Sequence, residues 1–358
     1  MKNILFVEGA PYIRYSADPA SNIGGSAVCL ETIVRNLTTE EFRAVVLFSY
    51  PSVHARALAE RSIDVTVAPP KLPPEKPAKP FRSLAPSEAR LKRSYGKSFV
   101  LRIIPQAFRL RRFIREKRID LVHANMSLAL DAAAVIAARM ANVPCVCHVR
   151  SFATLYGIHR ILARSVDAFV FMSEALRKSY EDQGIPSPKT SVIHSGVDLR
   201  DYPADPPAAR SSPGFVVAQF GRMIEWKGFQ TLLDAVPLLR REVGSVRVLC
   251  VGGGPMRTLL RDQAERLGIG DIVEFREMTP DIRPDLASAD VVVLPSLKPE
   301  PFGQIVLEAM ACGKPVVAAD HGGPREIITD GSDGMLFPPG DAAGLADRLA
   351  RLAKDESL

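Results

Sequence analysis

Long apolar runs are absent from this sequence. No stretch approaches the roughly 20 residues that span a bilayer. The opening Met1-Lys2-Asn3-Ile4-Leu5-Phe6-Val7 meets Glu8 too soon for a secretion signal, and reads instead as a first buried strand. Paired-cysteine motifs are missing too. The five cysteines are an odd number with no Cys-x-x-Cys spacing, and Cys145 and Cys147 flank Val146 inside an apolar strand. They read as core residues of a protein in a reducing cytoplasm. No Asp-x-Asp occurs, so a divalent ion would lack its usual carboxylate pair, and no His/Cys/Asp cluster has ligand spacing; no metal is expected. Neither a Gly-x-Ser-x-Gly elbow nor a Walker loop is present, which counts against hydrolases and P-loop kinases.

What is present is enough for two ordinary domains: 358 residues, 47% hydrophobic and 24% charged, as in soluble globular chains. The net charge of +6 is uneven. Residues 71–118 hold 15 Lys/Arg against 3 Asp/Glu, a local +12, so the rest of the chain carries −6. A partner for that region therefore has to be considered.

Short apolar runs alternate with helical patterns throughout. Strands are predicted at Ile4–Val7, Val45–Phe48, Leu121–His123, Cys145–Val149 and Ala168–Phe171, then at Phe215–Phe220, Val246–Val251, Ile272–Phe275, Val291–Leu294 and Pro315–Ala318. Continuous rather than alternating hydrophobicity suits strands buried on both faces, as in parallel sheets. Helices are predicted at Ala27–Leu37, Leu128–Met140, Glu174–Glu181, Phe229–Arg240, Met256–Leu267 and Gln304–Cys312. This is βαβ alternation repeated twice, an α/β chain of two Rossmann-like domains facing across a cleft. The proline-rich stretch near 197–213 is the linker between a first domain, 1–196, and a second, 214–358. Within the first domain, the Pro/Lys-rich Pro69–Lys97 reads as an irregular loop. After it Val100, Ile103, Ile104, Ala107, Phe108 and Ile114 recur at helical spacing. That stripe is read as packing on the sheet. The loop stays open between a solvated segment and a docking face for an anionic membrane.

Several residues could carry chemistry. Glu300 falls in the loop after the strand Val291–Leu294, and Glu308 about a turn and a half into the next helix. Phe302, Gly303 and Gln304 offer backbone N–H groups at that helix start, which attracts anions and polar oxygens. Two carboxylates there can accept hydrogen bonds from sugar hydroxyls; the alternative is two solvated glutamates. Arg222 and Lys227, in Gly221-Arg222-Met223-Ile224-Glu225-Trp226-Lys227-Gly228, could neutralise a diphosphate leaving group, or be a solvated pair. Gly24 and Gly25 could approach a phosphate or acceptor, with Ser26 capping the helix, or mark a simple helix entry. Pro255 reads as a first helical residue, and Arg257 breaks the dinucleotide fingerprint after Gly252-Gly253-Gly254. His148 ends a strand, followed by Val149 and Arg150, and is as compatible with a structural role as with a catalytic one.

The run Leu294-Pro295-Ser296, Glu300-Pro301-Phe302-Gly303, Leu307 to Val317, Gly322-Gly323-Pro324-Arg325-Glu326-Ile327-Ile328 and Gly331–Gly334 resembles the retaining glycosyltransferases of group 1, family 4, with the GT-B fold. The resemblance spans nearly the whole chain. It implies that Glu300 binds donor-sugar hydroxyls, with backbone contacts from Phe302, Gly303 and Gln304. Glu308 would hold the ribose, and Arg222 and Lys227 the diphosphate. Gly24 and Gly25 match the family's first glycine loop, and His148 the histidine near the reacting carbon. It implies a UDP- or GDP-sugar donor, a sugar or lipid-linked acceptor and no cofactor or metal. The place would be the cytoplasm, peripherally on the inner face of a membrane; no nucleic acid is expected. A sugar-nucleotide-binding protein without catalysis, or an epimerase or phosphorylase on the same fold, is the alternative. The usual Pro-Asn-Gly-Val-Asp linker reads His194-Ser195-Gly196-Val197-Asp198, and Arg150 is not general in the family. Members continue into a helix that crosses back onto the first domain, so the resemblance implies such a helix beyond Leu358.

Overall fold

The computed structural model describes residues 1–9, 25–37, 40–68, 99–202 and 214–355. By its contacts the chain divides into two units: Met1–Met172 with Leu176–Ile193, and Ser173–Ala175 with His194–Leu358. Of the expected linker, 203–213 lie outside the described residues, as do Gly24 and the basic loop 71–98.

The first unit is built on seven strands: β1 (Lys2–Glu8), β2 (Phe42–Phe48), β3 (Asp64–Val67), β4 (Leu121–Ala124), β5 (Cys145–Val149), β6 (Ala168–Phe171) and β7 (Thr190–Val192). They lie in the order β3-β2-β1-β4-β5-β6-β7. Every neighbouring pair is parallel; in register, Ile4 faces Ala44 on β2 and Leu121 on β4. The second unit has six: β8 (Phe215–Phe220), β9 (Val246–Val251), β10 (Val273–Arg276), β11 (Val291–Leu294), β12 (Val316–Ala319) and β13 (Met335–Phe337). Their order is β10-β9-β8-β11-β12-β13, again all parallel. Parallel neighbours need crossovers, and helices supply them, burying both sheet faces. In the second unit the two faces of the sheet carry separate apolar clusters, one around Leu232, Val248 and Leu349, the other around Leu249, Val292 and Val306.

Each sheet reverses its order once, between β1 and β4 and between β8 and β11. The C-terminal ends of strands at such a reversal leave a crevice where α/β sheets take ligands. The loops after β8 and β11 carry Arg222, Lys227 and Glu300, so chain topology alone brings these residues to one place.

Several expectations need correcting. The edge strands β3, β7 and β13 were not anticipated. The helix expected from Leu128 starts at Ala132, because the Asp131 carboxylate accepts the Met126 and Ser127 N–H groups, both at 2.8 Å, and holds a turn there. Ser26 is inside the helix Gly25–Arg35 rather than capping it, and its hydroxyl donates to Glu8 Oε1 at 2.7 Å. The first strand runs one residue past its expected end, to Glu8, which is fully buried. Pro255 precedes the helix Arg257–Arg266 instead of opening it. In the helix Ile104–Glu116, Ala107 and Ile114 pack inward with Leu110, whereas Phe108 is 55% exposed and Leu101, just before it, 73%. The stripe is therefore narrower than its spacing suggested. All five cysteines are free, and Cys29, Cys145, Cys147 and Cys250 are buried.

Candidate active site

In the second unit, β8 delivers the chain to Gly221 and a loop that ends in a short 3-10 turn, Glu225–Lys227. Gly228 follows at φ +70°, and a Cβ there would lie 1.8 Å from the Pro295 carbonyl oxygen, so only glycine allows this approach. The Leu297 N–H donates to the Trp226 carbonyl at 2.7 Å and ties the β8 loop to the β11 loop. Lys227 is thereby fixed beside Glu300. Its ammonium donates to Glu300 Oε1 at 2.6 Å and lies 4.6 Å from the Trp226 ring centroid. The Ser296 hydroxyl donates to the same Oε1, and His321 Nε2 donates to the Ser296 carbonyl at 2.8 Å. Glu300 is buried and forms an isolated parallel bridge with Gly322. Among the described residues no hydrogen bond reaches Glu300 Oε2. Arg222 is exposed, with no ion pair among the described residues.

Gly303, at φ +99°, turns the chain into the helix Gln304–Ala311. The first N–H groups of a helix have no partner within it, so this end is a local source of positive potential. Phe302 is buried, leaving its backbone rather than its ring as the polar group. Glu308 is buried on the helix. Burial pushes its carboxyl up to about 7, against the lowering effect of the Tyr202 hydroxyl beside it.

In the first unit a chain of buried polar groups links the ends of β1, β4 and β5. Glu8 Oε1 accepts from Ser26 and, at 3.1 Å, from the Tyr50 hydroxyl; Oε2 accepts from Asn125 Nδ2 at 2.6 Å. Arg150 Nε donates to Asn125 Oδ1 at 2.9 Å, and its NH2 group lies 3.3 Å from His148 Nδ1. His123 Nε2 lies 3.3 Å from the same Nδ1. Burial raises the Glu8 carboxyl, with Asn125, Ser26, Arg150 and Tyr50 opposing. Burial first, then the Arg150 charge, pushes His123 down to about 3, and the same two causes drive His148 far below the ordinary imidazole range. His148 Nε2 is shielded from water and has no partner among the described residues. Gly25 is exposed at the start of its helix.

The first unit also holds a cavity of about 400 Å3 at the ends of β1, β2 and β3, against the helices Ile104–Glu116 and Ala132–Ala141. Val7, Leu47, Leu110 and Phe113 make it largely apolar; among the described residues Arg109 and Asp131 are its ionisable groups. Burial pushes Asp131 up to about 8.

The structure thus joins Lys227 directly to Glu300, places Arg222 in the same loop and puts Glu308 on the adjoining helix. It sets His148 in a buried network in the first unit. Glu8, Asn125, Ser296 and Asp131 were not singled out as site residues. Asn125 and Glu8 are 117 residues apart, so no local spacing could have shown their bond.

Two Rossmann-like parallel-sheet domains, with cation and carboxylate loops at the order reversal of the second, define the GT-B class of fold. Residues 49–201 match the family described as Glycosyltransferase Family 4, and residues 214–355 that described as Glycosyl transferases group 1. The lipopolysaccharide core biosynthesis glycosyltransferase LpsE of Rhizobium meliloti is 38% identical over 158 residues, 44% of this chain and 43% of that protein. The D-inositol 3-phosphate glycosyltransferase of Nocardia farcinica is 34% identical over 253 residues, 66% of this chain and 54% of that protein. The chain spans about half the length, or less, of the curated relatives it matches. Among solved structures, Anabaena Alr3699/HepE in complex with UDP and glucose superposes with a TM-score of 0.75 at 26% identity, over 99% of this chain and 90% of that one. The chain belongs to the group 1 glycosyltransferases of the family 4 type.

Proposed function

We propose that this chain is a retaining glycosyltransferase. It moves a sugar from a nucleotide-diphosphate sugar, UDP- or GDP-linked, to an acceptor hydroxyl in the assembly of a glycan, lipopolysaccharide or glycolipid. The observation that carries the reading is the Lys227–Glu300 pair, held at 2.6 Å beside the exposed Arg222. Oε1 of Glu300 already accepts from Lys227 and Ser296, which leaves Oε2 to accept a donor-sugar hydroxyl. Lys227, anchored on that carboxylate, presents its remaining N–H donors to the diphosphate, with Arg222 as the second cation. Charge builds on the departing phosphate oxygen as the sugar leaves, and fixed cations stabilise it without reorganising. Gly303 and Gln304 add backbone N–H groups, and Glu308 accepts from the ribose hydroxyls. The acceptor hydroxyl attacks the anomeric carbon from the face the diphosphate leaves, and the leaving oxygen takes its proton. UDP and glucose bound to the Anabaena protein support the donor assignment.

For the acceptor, the apolar cavity beneath the helix Ile104–Glu116 supports a lipid-linked molecule. The exposed Leu101 and Phe108, among Arg102, Arg109, Arg112 and Arg115, support contact with an anionic membrane. Among the described residues no helix is long and apolar enough to cross one.

Nucleotide release from a panel of UDP- and GDP-sugars, with and without candidate acceptors, tests the reading. Acceptor-dependent release with one donor, unchanged by a chelator, is expected, with product NMR showing the donor's anomeric configuration. Binding without turnover would favour the non-catalytic protein. Orthophosphate dependence would favour a phosphorylase, and isomerised donor an epimerase.

A further inference from the structure

The buried network in the first unit constrains which nitrogen of His148 holds the proton. A guanidinium has donors and no acceptor. His148 Nδ1, 3.3 Å from Arg150 NH2, must therefore be the bare nitrogen. His123 Nε2 faces the same Nδ1, so it too carries a proton; otherwise two lone pairs would oppose each other. The neutral His148 ring then has its hydrogen on Nε2. That atom is shielded from water and has no partner among the described residues. A buried N–H left unmatched is costly, and such an atom in a native protein calls for an explanation. A polar ligand atom supplies one.

Arg150 is itself held in place. Its Nε donates to Asn125 Oδ1, and Asn125 Nδ2 donates to Glu8, which also accepts from Ser26 and Tyr50. A carboxylate buried without this set would be unfavourable, so the network orients Arg150 rigidly.

We propose that Arg150 is a positioning residue: braced by Asn125 and Glu8, it fixes His148 in the Nε2–H form and makes it a hydrogen-bond donor to a substrate oxygen, not the base that takes the acceptor proton. The identity of that substrate and the turnover measurements rest on the transferase reading above; the tautomer does not. Among the described residues, the titratable groups around His148 are His123 and Arg150, with Glu8 one hydrogen bond behind Asn125.

The test uses the full chain labelled with 15N-histidine. Long-range 1H–15N spectra report which ring nitrogen is protonated, and His148→Gln assigns the signals. The expected result is a proton on Nε2 and a bare Nδ1 from about pH 5.5 to 8, with no titration in that window. Arg150→Met should give a mixed tautomer and lower kcat by about tenfold to 100-fold, while donor KM stays within about threefold. Arg150→Lys, still a donor, should recover part of the loss. His148→Gln, which keeps an N–H, should turn over at least about tenfold faster than His148→Ala. A proton on Nδ1 in the unaltered chain overturns the proposal, as does an unchanged tautomer in Arg150→Met or equal rates for the two His148 variants. The spectra need no substrate. If no sugar transfer is found at all, the transferase reading falls while the tautomer is still decided.

Discussion

Replacing Glu308 by Gln should make the protein more stable and, on the proposed ribose role, less able to bind UDP. The Glu308 carboxyl is pushed by burial from 4.5 up to about 7. The folded chain therefore holds this proton more tightly than the unfolded chain does. As pH climbs from about 4.5 to about 7 the unfolded state is progressively favoured, and above that range the penalty is constant. At 1.36 kcal/mol per pH unit the penalty reaches about 3 kcal/mol, an upper bound once local relaxation is allowed. Gln keeps the carbonyl that accepts from Tyr202 and carries no charge. At pH 8 the variant should be more stable by about 1–3 kcal/mol, a rise in Tm of roughly 3–8 °C, and the gap should shrink towards pH 5. Thermal melts of both proteins at pH 5, 6, 7 and 8 read this directly. Parallel curves for the two would refute the assignment of the buried charge. The second arm is UDP added at pH 8. It should raise the Tm of the unaltered chain by more than that of Glu308→Gln, because the proposed ribose contact loses one of its two carboxylate acceptors. Stability would then be gained where binding is lost.

Other outcomes follow from the same geometry. Arg222→Ala and Lys227→Ala should each lower turnover by about 100-fold to 1000-fold with nucleotide-sugar, measured as acceptor-dependent nucleotide release. Lys227→Ala should also cost about 3 kcal/mol in urea unfolding, because Glu300 is left buried without its partner; Lys227→Met with Glu300→Gln should lose less than the single change. Gly228→Ala forces a Cβ against the Pro295 carbonyl and should destabilise by more than about 2 kcal/mol by the same assay. Leu101→Ser with Phe108→Ser should weaken flotation with anionic vesicles and leave the melting temperature within about 2 °C, since both side chains are exposed; equal flotation of the unaltered chain with neutral vesicles would remove the electrostatic contribution.

The central strands were legible because parallel strands covered on both faces leave continuous apolar runs, as in Ile4–Val7 and Val291–Leu294. The missed strands are all edges. Thr190–Val192 and Met335–Phe337 have three residues each, too few for any period to show, and Asp64–Val67 is half-covered and starts on a charge. Candidate residues were legible where a motif held them, as with Glu300 and Lys227. That these two pair was not, because 73 residues separate them and only the adjacency of β8 and β11 brings them together. Phe108 misled because helical spacing fixes a face but not its width. The burial that lifts Glu308, and the opposing hydrogen bond from Tyr202, more than 100 residues earlier, leave no trace in the local pattern.

The buried thiols give the molecule its own clock. Cys145 and Cys147 lie in the first sheet and Cys250 in the second, each shielded and each with its ionisation pushed up by burial, Cys250 to about 12. A thiolate, not a thiol, reacts with an alkylating agent. None of the three can be labelled until its own sheet opens, whereas Cys312 is only partly covered and can react from the folded state. Pulsed alkylation followed by peptide mapping would thus time the opening of each sheet separately, on the unmodified chain, and would show which one a bound nucleotide keeps closed.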